Sequence, residues 1–369
     1  MRKALRRETW VFCTVCLLGL GATSARGADA SNWLISEALL DHAKLTMVWQ
    51  ETLPLKKGEE IEQMVLLNDR LYVRSERNYA WSLDRGTGRG IFNGSVAPAG
   101  FPILGWVSYE NRLISIIDNQ LVQFDRDTGA RQSTDNLDVS VVAPPVRNSR
   151  FFYLSGGNQR LHALRSDDLV ELFQVSARNP STINSVLADE EMAVFATDAG
   201  NLIAIAADAP RKLWQFDAAE GISGPVIREE RSFYFASRDT NVYRVDMIDT
   251  TTATLVWKFQ AEALLDRAPR VTPHAVYQYA LGRGLSAIDK TSGQALWSLP
   301  EGLDLLADTA GRAYVMTKFN TLTVMDNVTG RKLYAVNFAP VAYHTANPLD
   351  RKIYVAGADG RLACLEPTQ

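Results

Sequence analysis

Beyond residue 45 the chain shows no sustained helical spacing of apolar residues; short alternating runs rich in Val, Ile, Tyr and Phe are instead separated by Gly, Asp and Asn. Period-two alternation bounded by turn residues predicts strands. Ahead of them, Ser31 to Leu45 reads as a short amphipathic helix. Ser31 is placed to cap it, and Leu34, Ala38 and Leu45, with Ile35 and Leu39 beside them, recur at spacings of three, four and seven. Its apolar stripe, with Trp33, is expected to lie over a groove of the following domain, and partner docking is the alternative use of such a stripe.

Self-comparison of the strand region yields one recurring segment: SLDRGTGRGIF (82–92), QFDRDTGARQS (123–133), ALRSDDLVELF (163–173), AIAADAPRKLW (204–214), AIDKTSGQALW (287–297) and TVMDNVTGRKLY (323–334). Counted from Asp84, Asp125, Arg165, Ala206, Asp289 and Asp326, the closing residue lies eight further on, at Phe92, Ser133, Phe173, Trp214, Trp297 and Tyr334. Another copy runs from Arg244 to Trp257, with three extra residues in its turn around Asp249 and Thr250. The closing positions are 41, 40, 41, 43, 40 and 37 residues apart. A period near 40 with several short strands per repeat predicts a β-propeller whose blades are four-stranded antiparallel sheets.

Within each repeat the pattern has local physical reasons. Tyr72-Val73, Phe152-Tyr153, Val194-Phe195, Phe233-Tyr234, Tyr314-Val315 and Ile353-Tyr354-Val355 mark the strand before the one that ends in the Asp. Gly after Thr permits a positive φ in a tight hairpin, and the Asp can accept bonds from the turn's amides. Small residues two before the Asp (Ala163, Ala204, Ala287) are expected to make room for the aromatic of a neighbouring blade, with Gln123, Arg244 and Thr323 departing from this rule. The last repeat, GADGRLACLEPTQ, stops after a third strand carrying Cys364 and Glu366. LTMVWQE (45–51), with Trp49 placed 43 residues before Phe92, is expected to supply its fourth strand and close the ring. Seven complete repeats plus this composite blade make eight.

The form AxDxxxGxxxW, matched in full by Ala287, Asp289, Gly293 and Trp297, resembles the tryptophan-docking repeat of the eight-bladed pyrroloquinoline-quinone-like (PQQ-like) propellers, and the likeness runs through nearly all the chain after residue 45. Of that superfamily's two branches, quinoprotein dehydrogenases and non-catalytic envelope scaffolds, the chain resembles the BamB-type outer-membrane assembly factors. The dehydrogenase branch implies a quinone in the channel, a calcium-type metal, a catalytic Asp and commonly an adjacent cysteine pair. No such set is placed by this sequence, and the loops are short.

The N-terminus is an address. Arg2, Lys3, Arg6 and Arg7 precede an apolar stretch from Trp10 to Ala22, followed by small residues, which is the layout of a secretory signal peptide and too short to span a bilayer. Cleavage after Gly27 is chosen over Ala25 and Ala30, giving a leader of 1–27, a helical segment of 28–44 and a propeller of 45–369. The chain carries 39 basic and 42 acidic residues, a net charge of −3; losing the leader would bring it to −7 and leave Cys364 as the single thiol. The pattern around Cys16 does not argue for a lipid anchor, and no charge run suggests nucleic-acid or lipid binding.

Other candidate chemistry is weak. Asp125, Asp127 and Gly129 match the start of a calcium loop, but they form the hairpin turn of repeat two and no glutamate closes the loop. His42, His162, His274 and His344 lie in separate segments without ligand spacing, and no GxSxG elbow is present. The closing aromatics are read as structural. Trp81 and Trp106 lie outside that place; Trp106 and Arg270, in the innermost strands of blades two and six, are candidates for lining the channel, with core packing and surface contact as alternatives. The expectation is an all-β, eight-bladed, monomeric propeller in the periplasm or secreted, without enzymatic activity, cofactor, metal or membrane span, serving as a scaffold for an envelope protein partner. The alternative is a small-molecule or glycan binder at the channel, or a degenerate quinoprotein. In a further alternative the helix itself is the functional peptide.

Overall fold

The computed structural model describes residues 32–309, 311–345, 347 and 350–368. The leader read over 1–27 and the capping role given to Ser31 lie outside them. Among the described residues, thirty-two strands form eight separate four-stranded antiparallel sheets. Seven use consecutive strands: blade 1 spans Ile61 to Ser95, blade 2 Val107 to Asn136, blade 3 Val146 to Val175, blade 4 Ile183 to Asp217, blade 5 Ile222 to Gln260, blade 6 Arg270 to Leu299 and blade 7 Gly302 to Asn337. Blade 8 is composite: strands Tyr343–Thr345, Ile353–Ala356 and Arg361–Pro367 are completed by the first strand of the chain, Leu45–Thr52. Leu45 pairs with Pro367 and Thr52 with Arg361, so the ring closes as the truncated last repeat requires.

The second and third strands of each blade are buried on both faces, and the outermost strand alternates or is exposed. Paired apolar faces of adjacent blades thereby make a ring of cores in place of one central core. In blades 1, 2, 6 and 7 the turn between the third and outermost strands is built around an Asp carboxylate that accepts from the turn amides. The Asp84 carboxylate accepts from the Gly86 and Thr87 amides at 3.1 and 2.8 Å and from the Thr87 hydroxyl at 2.8 Å. Asp125 and Asp289 do the same in their turns.

The closing aromatic of each of four blades covers the turn glycine of the next. A Cβ at Gly88 would lie 2.6 Å from the Trp49 ring, one at Gly129 2.5 Å from Phe92, and one at Gly293 2.6 Å from Trp257. Gly330 meets Trp297 less tightly, a Cβ there lying 3.2 Å from the Trp297 Cβ. These glycines have φ of 69 to 75°, so the position needs both the left-handed backbone and the missing side chain. The indole nitrogens of Trp49 and Trp257 donate to the carbonyls of Arg85 and Lys290, each at 3.0 Å.

Four expectations are corrected. The helix, α1 (Glu37–Ala43), is shorter than Ser31 to Leu45: Ser36 occupies the N-cap and Lys44 ends it at φ 53°. Its buried residues are Leu40 and Ala43, whereas Ala38 is exposed, because Leu34, Ile35 and Leu45 lie outside the helix and a spacing drawn through them does not mark one helical face. The small residue two before the Asp faces the closing aromatic of its own blade, as in Ala204 opposite Trp214 and Ala287 opposite Trp297. In blade 7 that place belongs to Val324, opposite Tyr334, and Thr323 lies one residue earlier. Finally, the extra residues of blade 5 mostly lengthen its outer hairpin, giving strands Asn241–Asp249 and Thr252–Gln260 around the turn.

The helix answers a defect of the composite blade. The third and outermost strands of blade 8 are not consecutive and share no hairpin, so Tyr334 of blade 7 has no such turn to cover. Its hydroxyl donates instead to the Ala43 carbonyl at the end of α1, at 3.0 Å, and the Thr368 amide donates to the Lys44 carbonyl at 2.8 Å. Leu34, Ile35, Leu40 and Ala43 are buried with residues of blades 7 and 8. The apolar stripe therefore packs on its own fold.

Candidate functional site

The two ends of the ring differ by topology. One end carries the turns between second and third strands together with the connections between blades; the other carries the remaining hairpin turns. The innermost strands line the axis and link the two ends.

Arg270 lies on the innermost strand of blade 6, as expected, and forks onto Asp304 of blade 7: Nε to Oδ1 is 3.1 Å and the terminal nitrogen to Oδ2 is 3.0 Å. His344, on the innermost strand of blade 8, places Nε2 3.5 Å from the same carboxylate. Asp304 is 12 % exposed. Burial alone would raise its pKa, but hydrogen bonds from His344 and Arg270 and the Arg270 charge prevail and hold it at about 2. Three consecutive blades are thus clasped near the axis by a carboxylate that stays ionised. Sequence reading singled out Arg270 alone, because its partner lies 34 residues away. The usable signal was the repeat itself: residues about one period apart, such as Asp304 and His344, fall on adjacent blades.

Trp106 does not line the channel. It is buried with Tyr72, Leu113 and Phe124, its ring centroid 6.0 Å from that of Phe124. It lies just before the short inner strand Val107–Tyr109, where a large apolar side chain fills the space between blades 1 and 2. Trp81 is likewise core, 4.8 Å from Tyr79.

The four histidines are not brought together. His42 is exposed on the helix. His162 is buried, with its ring nitrogens 2.6 Å from Glu171 and 3.0 Å from Asn158. His274 is 3.2 Å from Asp308. Asp308 belongs to a second buried network, accepting from Asn327 at 2.8 Å and from Thr272 at 2.5 Å, and burial raises its pKa. Asn327 in turn accepts the Trp297 indole proton at 3.0 Å, tying this network to the docking of blade 6 on blade 7. Among the described residues no group of three or more His, Cys, Asp or Glu is placed to share a metal ion. Asp125 and Asp127 serve the hairpin turn, Asp127 also pairing with Arg70 at 2.8 Å. Cys364 is buried beside Tyr354, and burial pushes its thiol up to about 12, which leaves it unreactive at neutral pH.

Large apolar side chains are exposed on the end that carries the blade connections: Phe101, Val142, Leu264, Leu281 and Phe319, the last 70 % exposed. Among the described residues no helix is long and apolar enough to cross a membrane.

No curated protein matches the chain by sequence. The crystal structure of BamB from Moraxella catarrhalis superposes with a TM-score of 0.64 at 16 % identity, covering 87 % of this chain and 97 % of that one. The computationally designed Ika8 protein superposes with a TM-score of 0.65 at 12 % identity, covering 85 % and 98 %. Both likenesses concern the fold. By sequence, the family model described as outer membrane protein assembly factor BamB matches residues 117–243 and 198–308, which together make up more than half of the chain. With the tryptophan-docking repeats and the eight closed blades, that match places the chain in the PQQ-like repeat β-propeller family, in its BamB-type branch.

Proposed function

We propose that the protein is a non-catalytic scaffold of the bacterial envelope, holding a protein partner during outer-membrane protein assembly. The observation that carries this reading is the set of exposed apolar side chains on one end of a rigid ring, in a chain whose family is described as an assembly factor. Phe101, Val142, Leu264, Leu281 and Phe319 come from connections and turns of different blades, so the surface exists only once the ring is closed. Apolar side chains spread over such a surface are the usual anchors of a protein interface. The basic and apolar leader directs export, which agrees with a periplasmic site of action. The charged groups near the axis are engaged with one another and serve cohesion of the ring in place of chemistry.

The test is in-cell photocrosslinking from Phe319, with Val328 on the opposite end as the comparison position; Val328 is 83 % exposed, so reactivity is not limited by access. Capture of an envelope assembly protein from position 319 and not from 328 is the expected result. Capture of nothing from 319, or equal capture from both, contradicts the interface. A quinone absorbance band in the purified protein contradicts the non-catalytic reading.

A further inference from the structure

We propose that His162 is a proton-operated latch on the connection-bearing end. Its doubly protonated ring holds the blade 3 turn 156–160, and with it the connection that carries Val142; loss of one proton lets both loosen. His162 lies on the third strand of blade 3, Leu161–Arg165, and is 3 % exposed. The latch stands whether or not that end of the ring holds a partner.

Both ring nitrogens face acceptors. Nδ1 lies 2.6 Å from Glu171 Oε2, and Nε2 lies 3.0 Å from Asn158 Oδ1. The Asn158 side chain presents its oxygen to the ring because the same Oδ1 accepts from the Arg160 backbone amide at 3.3 Å. A neutral imidazole has one N–H and one lone pair, so only the doubly protonated ring makes both bonds. With one proton gone, the remaining N–H stays with the carboxylate, the stronger acceptor, and a lone pair on Nε2 confronts Asn158 Oδ1. The charged groups around the ring come from three elements. They are Glu171 on the outermost strand, Asp138 in the connection after blade 2, and Arg160 at the end of the turn, whose guanidinium is held by Gln174 Oε1 at 3.2 Å. Asp138, Asn158, His162 and Glu171 share the walls of a cavity of about 420 Å³, which brings water to the latch.

The turn closes tightly on the ring and is strained. A Cβ on Gly156 would fall 2.7 Å from His162 Nε2, and Gln159 takes φ of 66°. A side-chain-bearing residue persists in that region only where its surroundings hold it. The turn is also bonded to the connection between blades 2 and 3. The Gly157 amide donates to the Ser140 carbonyl at 2.7 Å, and the Val142 amide to the Ser155 carbonyl at 3.0 Å. Val142 is one of the exposed apolar side chains of that end. Freeing the turn therefore frees the seat of Val142.

Blade 5 supplies the internal comparison. Tyr243 occupies the same place in its repeat, one residue before the partner of the closing aromatic, as His162 does before Ala163. Its hydroxyl donates to Asp239, four residues earlier in the turn, as His162 reaches Asn158 four residues earlier. Burial and the Asp239 bond push the Tyr243 phenol above its ordinary value, so that latch keeps its proton through the neutral range. Imidazole is the side chain whose charge changes within that range. The two blades thus share one way of holding a turn, and blade 3 alone of the pair makes it depend on pH.

The full chain, labelled at glycine and histidine, is followed by NMR from pH 5 to pH 9. The expected result is that the His162 ring loses a proton within this range and that the Gly156 and Gly157 amide signals move with it. Those of Gly200 and Gly282, in the corresponding turns of blades 4 and 6, should stay fixed. His162→Gln should abolish the movement of Gly156 and Gly157. Glu171→Gln, which keeps the ring and removes the carboxylate, should bring the movement on at lower pH. Glycine signals that stay fixed while the ring titrates, or that move equally in His162→Gln, overturn the proposal, as does a ring with one protonation state throughout. Should His162→Gln fail to fold, Glu171→Gln decides, and an unshifted transition there overturns the latch.

Discussion

Two seams of the ring solve the same packing problem in opposite ways. Between blades 8 and 1, Trp49 covers Gly88, and a Cβ on that glycine would fall 2.6 Å from the indole. Between blades 2 and 3 the closing residue is Ser133, and the turn position that is glycine at the other seam is Leu169, with φ of 57°. The bulk has moved from the outer strand of one blade to the turn of the next. Leu169 accepts a left-handed backbone that an L side chain disfavours, and the Ser133 hydroxyl is left buried without a partner. The seam is also incompletely filled: cavities of about 460 and 420 Å³ both have Leu169 in their walls. At four seams the repeat thus works through pairs, aromatic with glycine, which a single-position consensus conceals, whereas the turn after Phe173 carries Pro210 at the glycine place.

The largest effect expected from this comparison is at the filled seams. Trp257→Ala removes a buried ring and its bond to the Lys290 carbonyl, and should cost about 3–5 kcal/mol in denaturant unfolding. Gly88→Leu, which copies the turn residue of blade 3 into a seam that keeps its tryptophan, should cost about 2–4 kcal/mol through overpacking and backbone strain. If either change is tolerated without loss, docking is not what holds adjacent blades. Ser133→Ala should change stability by less than about 0.5 kcal/mol, since it removes only an unpartnered hydroxyl.

A smaller and pH-dependent effect belongs to the axial clasp. The pKa of Asp304 is held at about 2 in the folded chain, below the ordinary aspartate value. A depressed carboxylate contributes its full stabilisation above the unfolded-state pKa and loses it as pH falls through the folded one. Stability should thus drop between about pH 4 and pH 2, and Asp304→Asn should flatten that drop while lowering stability at neutral pH. The turn aspartates Asp84, Asp125, Asp289 and Asp326 are depressed in the same direction by their turn hydrogen bonds and add to the slope that remains. An unchanged acid profile in Asp304→Asn would remove the clasp from the account.

Most of the fold was legible because a propeller writes its architecture periodically. The spacing of Phe92 through Tyr334 implied the blades, and the unfinished repeat around Cys364 implied the closing strand that Trp49 occupies. The helix was legible only in part: the apolar residues from Leu34 to Leu45 include some buried by a non-helical lead-in and by the first strand, so periodicity overstated its length. Its role in replacing the missing turn of blade 8 depends on Tyr334 meeting Ala43, a contact across 291 residues that no local pattern reports. The site was less legible still. Trp106 and Arg270 were both placed on inner strands, and what separated them was the neighbour each meets: a packed aromatic for one, Asp304 for the other.

The pair rule is tested most directly by a double-mutant cycle of Ser133→Trp and Leu169→Gly, followed by equilibrium denaturation. Ser133→Trp alone should destabilise by about 1–3 kcal/mol because the indole meets the Leu169 side chain, and Leu169→Gly alone should destabilise by widening an already unfilled seam. Together they should recover at least the stability of the parent, with a favourable coupling of about 2 kcal/mol or more. Additive losses, with no coupling between the two positions, would contradict the claim that aromatic and glycine act as one docking unit.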